Sequence, residues 1–332
     1  MFKYNAAMIA MLLASPGPVH AGEEVLYMSV LSSHKHRIGA GDNPLVGLFI
    51  STDRGATWEH KGWREYIRTF YVEAGSDGTL WSACGNGVLR STDTGTTWVV
   101  TTGWNVTEVL KVKADARNPD VVYAATAYGV IKSTDRGTLW EKKVNGFHWK
   151  FTSDLCIDRQ KSGRVLAATE EGVYRTTNGG EGWSRSGLEG KSVRVIVQDP
   201  RDARTFWAGT EEDGVFRTTD SGSSWSQRSS GLNHRTVYAI AIDPSSEGTM
   251  YLGTHGGGVY RSKSGGRQWE QQSEGLKTLD VHSLVILPSS PRIVFAGTLN
   301  GGLYRSIDGG TSWLFSSQDE AQVWGLSVHG TL

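Results

Sequence analysis

Short apolar runs separated by turn residues recur along the whole of this chain. In one clear case, the run 237–242 ends at Asp243 and Pro244, and the run 250–254 leads through three glycines into residues 258–261. Runs of about four to eight aliphatic, aromatic and β-branched residues bounded by Gly, Pro and Asp are typical of β-strands. The pattern predicts four strands per unit, which we name A to D in chain order.

An eight-residue turn segment, the octet, joins strand C to strand D and divides the chain into similar units. Its first copy, residues 51–58, has the sequence S-T-D-R-G-A-T-W. Six more copies begin at Ser91, Ser133, Thr176, Thr218, Ser262 and Ser306. Successive copies begin 40 to 44 residues apart. This period, with four strands in each unit, predicts the blades of a β-propeller.

The residue types of the octet suit a tight hairpin turn. The Asp side chain can accept hydrogen bonds from backbone N–H groups of its own turn, and the Gly supplies a positive φ. The Trp begins the next strand and offers a large apolar surface. Seven of the 13 tryptophans hold this position: Trp58, Trp98, Trp140, Trp183, Trp225, Trp269 and Trp313. We therefore expect these indoles to pack in the core rather than to form a ligand site.

The octet resembles the Asp-box, or BNR, repeat S-x-D-x-G-x-[TS]-W of sialidases, sortilin-type receptors, xyloglucanases and a photosystem II stability and assembly-factor family. Asn178 and Ser264 replace the Asp in two copies. The chain is most similar overall to the assembly-factor family, and this resemblance covers nearly all of residues 24–332. It implies an exported, single seven-bladed propeller that holds an extended segment of a client protein or a subunit of a membrane complex.

The strand types predict how the ring closes. The chain after residue 24 begins with a B strand at residues 25–30 and ends with an A strand at residues 323–328. Seven strands of each type are present, so the last strand should complete the first blade. We therefore predict an all-β, seven-bladed propeller of four-stranded blades, closed by the C-terminal strand. Such closure removes exposed sheet edges.

The N-terminal segment predicts export. Residues 1–21 resemble a secretory signal, with Lys3 before an apolar run at residues 6–14 and prolines after it. An apolar run of about nine residues is too short for a transmembrane helix, which needs roughly 20. We expect residues 22–332 to form one propeller domain in a periplasmic or secreted protein.

Net charge bears on the class of partner, and the cysteine positions bear on disulfide formation. The formal net charge is zero, which disfavours a nucleic-acid partner bound through bulk charge. The two cysteines, Cys84 and Cys156, fall in non-adjacent units, too far apart for a disulfide. We expect buried thiols, no cofactor and a monomer.

The strand order sorts the loops onto two faces. The octets and the A-to-B turns share one face, and the B-to-C and D-to-A loops share the other, which we call the mouth face. Alignment of the A strands brings seven unlike residues to one position near the channel entrance: Arg68, Leu110, Ser153, Arg194, Tyr238, His282 and Trp324. Two interpretations stay open: these side chains bind a ligand, or they only fill the channel mouth.

Histidines also concentrate on the mouth face. His34 and His36 lie in a long insertion, residues 32–46, of the first B-to-C loop, with spacing that would place both imidazoles on one side of an extended segment. His148, His234 and His255 lie in other loops of this face. His34 and His36 are weak metal candidates; the alternative is solvated loop histidines, and we predict no metal.

Acidic loops define an enzymatic alternative. Glu170 and Glu171, and residues 211–213, occupy adjacent B-to-C loops, and a glycoside hydrolase needs two carboxylates roughly 5 to 10 Å apart. Sialidase-like chemistry also needs an arginine trio, and xyloglucanase-type enzymes pair two propellers. No F-R-I-P-like segment of the sialidase type precedes the first octet, and the seven repeats predict a single propeller, whereas sialidases resemble six-bladed rings.

We therefore expect a non-enzymatic interaction scaffold or assembly factor rather than a carbohydrate-active hydrolase of the sialidase or xyloglucanase type. Tyr238, His282 and Trp324 are the candidate binding residues of the ring. Arg68 and Arg194, with Arg37 and Lys150 nearby, would contact an acidic or C-terminal group of the client. These assignments place the function on the mouth face.

Overall fold

The computed structural model describes residues 24–33, 46–61, 68–148 and 150–330. These residues form 28 β-strands in seven four-stranded antiparallel sheets, with no helix in the described ranges. The predicted signal peptide and insertion residues 34–45 lie outside them. None of the segments described is a helix long and apolar enough to cross a membrane.

The strand bounds follow the predicted units. Blades 1 to 3 contain β1 (Val25–Ser33), β2 (Gly47–Ser51) and β3 (Glu59–His60); β4 (Thr69–Ala74), β5 (Leu80–Cys84), β6 (Gly87–Ser91) and β7 (Val99–Val100); and β8 (Val109–Asp115), β9 (Asn118–Thr126), β10 (Gly129–Ser133) and β11 (Glu141–Lys142). Blades 4 and 5 contain β12 (Thr152–Ile157), β13 (Val165–Thr169), β14 (Gly172–Thr176) and β15 (Ser184–Arg185); and β16 (Val193–Gln198), β17 (Phe206–Thr210), β18 (Val215–Thr218) and β19 (Ser226–Gln227). Blades 6 and 7 contain β20 (Val237–Ile242), β21 (Met250–Thr254), β22 (Gly258–Ser262) and β23 (Glu270–Gln271); and β24 (Val281–Ile286), β25 (Val294–Thr298), β26 (Gly302–Ser306) and β27 (Leu314–Ser317).

The last strand, β28 (Ala321–His329), completes the first blade, in the order β28-β1-β2-β3. It runs antiparallel to β1, from the pair Val25 and His329 to the pair Ser33 and Ala321. It also packs between the inner strands β24 and β4 of the neighbouring blades. The predicted closure of the ring is confirmed.

Octet tryptophans join each blade to the one before it. Trp269 and Trp313 are almost fully buried. Their indole N–H groups donate to the carbonyl oxygens of Arg228 and Gln272 in the preceding blades, at 2.7 and 2.8 Å. Burial of such a ring stabilises a fold by roughly 2 to 3 kcal/mol. The tryptophans are therefore core residues, as predicted.

The octet turns make the predicted backbone bonds, including the copies that lack Asp. In the first copy, Oδ1 of Asp53 accepts the N–H of Thr57 at 2.9 Å. Asn178 Oδ1 accepts the N–H of Gly182 at 3.1 Å, and Ser264 Oγ accepts that of Gln268 at 3.0 Å. The replacements preserve one bond of the turn because each retains a side-chain oxygen acceptor.

Candidate functional site

Every inner strand carries a β-bulge at the same level of the channel. In blade 5, Val193 pairs with Thr210 and Val195 pairs with Gly209, so Arg194 bulges between them. The bulged residues of the seven blades, in chain order from blade 2, are Phe70, Leu110, Ser153, Arg194, Tyr238, His282 and Trp324. A bulge changes the direction of a side chain. All seven line one open cavity of about 320 Å³ at the channel mouth.

Phe70, not Arg68, holds this position in blade 2, which corrects the predicted ring. The other six predicted members are in place. The predicted ring aligned the inner strands on the acidic residue at the strand end, which is Asp115 in blade 3 and Asp158 in blade 4. In blade 2 that position is held by Gly75, and alignment on Glu73 instead moved the predicted ring position two residues toward the N-terminus. Arg68 is exposed immediately before β4.

Four of the ring side chains form a continuous aromatic arc. Trp324 meets Phe70 edge-on, with ring centroids 5.7 Å apart, and lies 4.8 Å from the ring of His282. His282 in turn stacks on Tyr238, with centroids 4.1 Å apart. The arc covers four consecutive blades, because these residues belong to blades 2, 1, 7 and 6.

His282 acts as an uncharged member of this arc. Burial between the neighbouring rings lowers its pKa from 6.5 to about 4, against the opposing effect of Asp280. At the rim, Asp280 pairs instead with His255, whose Nδ1 lies 2.7 Å from Oδ1. At neutral pH the stacked surface therefore carries no charge on the His282 side.

Arg194 is already engaged within the chain. Its guanidinium is paired with Glu211 of the B-to-C loop in the same blade, and Nε donates to Oε2 at 3.0 Å. Lys150 is exposed. Arg37, His34 and His36 lie outside the described residues. The structure thus brings Arg194, Tyr238, His282 and Trp324 together, and leaves Arg68 and Lys150 exposed on the chain before inner strands.

Just below the ring, the channel wall carries charged residues that the sequence analysis missed. Lys111 Nζ lies 3.7 Å from the ring centroid of Tyr71 and 3.8 Å from Oδ1 of Asp154. Lys113 Nζ donates to the hydroxyl of Tyr71 and to Glu73, both at 2.8 Å. The available signal was the pair of lysines two residues apart in β8, because residues two apart in a strand share a face.

Three carboxylates around the mouth cavity, those of Asp154, Glu211 and Asp280, have protein partners. Asp154 accepts the N–H groups of Leu155 and Ile196, at 2.8 and 3.1 Å. Glu211 is held by Arg194, and Asp280 also accepts the N–H of Gly256 at 2.8 Å. In the described ranges, no group of three or more His, Cys, Asp or Glu side chains is arranged to hold a metal ion.

The cysteines lie away from the mouth cavity and are free thiols. Cys84 is buried, and Cys156 lines a second cavity of about 330 Å³ between inner strands farther along the channel. Burial raises the pKa of each thiol to about 12. Both are therefore protonated at neutral pH, and they lie in the non-adjacent blades 2 and 4, as the sequence predicted.

The sheets, their closure and the bulged ring define this chain as a seven-bladed β-propeller with an aromatic channel mouth. Its structure is similar to "YCF48 bound to D1 peptide", with a TM-score of 0.59 and 18% sequence identity, covering 88% of this chain and 99% of that one. YCF48 from Cyanidioschyzon merolae gives a TM-score of 0.57 and 19% identity, covering 78% and 88% of the two chains.

A GH74 enzyme from Niastella koreensis is also similar, with a TM-score of 0.64 and 19% identity, covering 90% of this chain and 55% of that one. The chain spans about half the length of the GH74 enzymes that it matches. No family model and no curated protein matches the sequence. The predicted resemblance to these propellers is therefore confirmed at the level of the fold.

Proposed function

We propose that this protein is a non-enzymatic interaction scaffold, exported to the periplasm or secreted, that binds a segment of a client protein at its channel mouth. The aromatic arc of Phe70, Trp324, His282 and Tyr238 carries this proposal. It presents large, rigid rings to an open cavity, and aromatic residues of this kind dominate the binding energy of protein interfaces.

Exposed aromatic side chains extend this surface beyond the cavity. Trp104, in the D-to-A loop after β7, is 94% exposed, and Tyr128, in the B-to-C loop of blade 3, is 57% exposed. The two loops are joined by a hydrogen bond from the N–H of Ala127 to the carbonyl of Glu108. An extended client segment that leaves the mouth over blade 3 would meet both rings.

The similar structures support a polypeptide ligand. The chain covers nearly the full length of the YCF48 chain that is bound to a peptide, but only about half of the GH74 enzymes. A hydrolase at this mouth would need two available carboxylates. Asp154, which lines the mouth cavity, and Glu211 both have protein partners, and the candidates Glu170 and Glu171 are not among the residues that line the cavity. A client protein or a subunit of a membrane complex is therefore the better candidate.

Site-specific photo-crosslinking in the native source tests this function. A photoreactive phenylalanine at position 104 or 128 should capture the same client, whereas one at Leu139, which is 70% exposed on the octet face, should not. Equal capture from position 139 would place the interface on the other face. Release of reducing sugars from glycans by the purified protein would instead support a hydrolase.

A further inference from the structure

The ammonium group of Lys111 has unused hydrogen-bonding capacity inside the channel. Its side chain is only 22% exposed, and its nearest carboxylate oxygen, on Asp154, lies beyond hydrogen-bond distance at 3.8 Å. It makes no hydrogen bond with any residue that the structure describes, and it rests on the ring of Tyr71. An ammonium has three N–H donors, so it could donate to a ligand oxygen without breaking an existing hydrogen bond.

The neighbouring cations, unlike Lys111, are held by side-chain hydrogen bonds within the chain. Lys113 donates to Tyr71 and Glu73, and Arg194 is held by Glu211. Asp154 is fixed mainly by the backbone, because its two carboxylate oxygens accept the N–H groups of Leu155 and Ile196. Of the two cations that line the described part of the mouth cavity, Lys111 and Arg194, Lys111 is thus the one whose side chain makes no hydrogen bond with a described residue.

The space above Lys111 suits a small flat molecule. The mouth cavity of about 320 Å³ adjoins a deeper one of about 170 Å³, and both are lined by Lys111, Tyr238 and Trp324. Small-molecule sites usually measure roughly 300 to 1,000 Å³ and combine apolar walls with a few polar groups. Here the aromatic arc forms the apolar wall, and Lys111 is the polar group at depth.

We propose that the channel mouth binds an aromatic carboxylate, with its ring against the aromatic arc and its carboxylate at Nζ of Lys111. Burial lowers the pKa of Lys111, and an anion at this position would raise it again. The carboxylate can belong to a free small molecule or to the end of a polypeptide, since both present the same group. The inference goes beyond client binding, because small probes alone test it.

Calorimetric titration of the folded protein with benzoate and with benzamide, which has the same shape but no charge, measures the contribution of charge. Benzoate should bind at least 10-fold more tightly, and acetate, which lacks the ring, should bind at least 10-fold more weakly than benzoate. Lys111→Met should abolish the preference for benzoate over benzamide. Lys142→Met, an exposed change on the outer strand of the same blade, should preserve it.

Two further measurements keep the proposal testable if Lys111→Met unfolds the protein. Above neutral pH, benzoate should cause net proton uptake by the unmodified protein, detected as a dependence of the binding heat on the buffer. N-acetylphenylalanine and its amide replace the benzoate pair to represent a polypeptide end. A carboxylate preference in either pair supports the site and identifies its source. Equal binding of acid and amide in both pairs, or no binding of any probe, overturns it.

Discussion

At the scale of single residues, the octet aspartates serve their own turns. Oδ1 of Asp308 accepts the N–H groups of Thr311 and Ser312, at 2.9 and 3.0 Å, and Oδ2 accepts the hydroxyl of Ser312 at 2.7 Å. In the second octet, the hydroxyl and N–H of Thr97 lower the pKa of Asp93 to about 2. These carboxylates are saturated within the turn, so we assign them to stability and not to ligand binding.

Asp308→Ala should therefore lower the free energy of unfolding by about 1 to 2 kcal/mol, because a half-buried turn loses its acceptors. Asp53→Ala, at an exposed copy, should cost about 1 kcal/mol. Urea denaturation measures both. Asp308→Asn, which keeps the Oδ1 acceptor as Asn178 does, is the matched control and should cost less. Loss of client binding at unchanged stability would show that the octet belongs to a site.

For the aromatic arc we expect the opposite of the octet aspartates: a substitution should weaken client binding and leave folding stability unchanged. Trp324→Leu removes the central ring between Phe70 and His282 and should weaken client binding by about 2 kcal/mol. Phe315→Leu, at a half-exposed position on the outer strand of blade 7, should change it by less than about 0.5 kcal/mol. Affinity measurements on the two variants, with melting curves recorded separately, give the comparison. Equal losses would contradict the proposed face.

At the scale of elements, the inner strands are uniform in backbone and diverse in side chains. The bulge recurs in all seven blades, while its residue changes from Leu110 to Arg194 to Trp324. Because the backbone repeats, the position of each bulged side chain is fixed by the blade and its chemistry is free to vary. The stack of Tyr238 on His282 is one result of this arrangement.

That stack predicts an acid-dependent loss of stability. An unfolded His binds a proton below about pH 6.5, whereas His282 in the fold resists protonation until about pH 4. As pH falls from 6.5 to 4, only the unfolded state gains this proton, so unfolding becomes easier by roughly 2 to 3 kcal/mol. Below pH 4 the effect is complete.

Urea denaturation between pH 7 and pH 4 measures this dependence. His282→Phe keeps a ring in the stack and should flatten the profile in this window, whereas His148→Gln, at an exposed loop position, should leave the profile unchanged. A profile as steep in His282→Phe as in the unmodified protein would mean that other groups cause the loss.

The sequence repeat predicted the strands and their order better than it predicted which side chains lie together at the channel mouth. Octet spacing and strand counting were enough for seven blades and for the pairing of β28 with β1. The ring position was predicted wrongly in blade 2, because Gly75 stands where blades 3 to 6 have an Asp at the strand end. The Arg194 to Glu211 pair depends on how a loop folds back over its own blade, which strand periodicity does not encode.

At the scale of the whole molecule, the ring depends on its last strand. Ala321, Val323 and Leu326 of β28 pack in one core cluster with residues of β1 and with Val285 and Leu287 of blade 7. β28 therefore joins the first and last blades through both backbone pairing and side-chain burial. Its removal would expose a strand edge and the inner face of two blades.

Deletion of residues 322–332 should accordingly produce an open, unstable ring with a much lower melting temperature. Deletion of residues 331–332 alone is the control, since it spares β28. A synthetic peptide of residues 321–330 should restore part of the lost stability by pairing with β1. A truncated protein that melts at the same temperature as the full-length protein would contradict the role of β28 in closing the ring.

The antiparallel pair of β1 and β28 also brings the two ends of the propeller domain side by side. Val25 and His329 are direct partners in the sheet, so their Cα atoms are separated by about 5 Å, a gap that a linker of a few glycines can bridge. New ends could then be opened in an A-to-B turn of another blade without breaking a strand. Such circular permutants would fold to the same ring, because every strand pairing of the seven sheets remains available in the permuted chain.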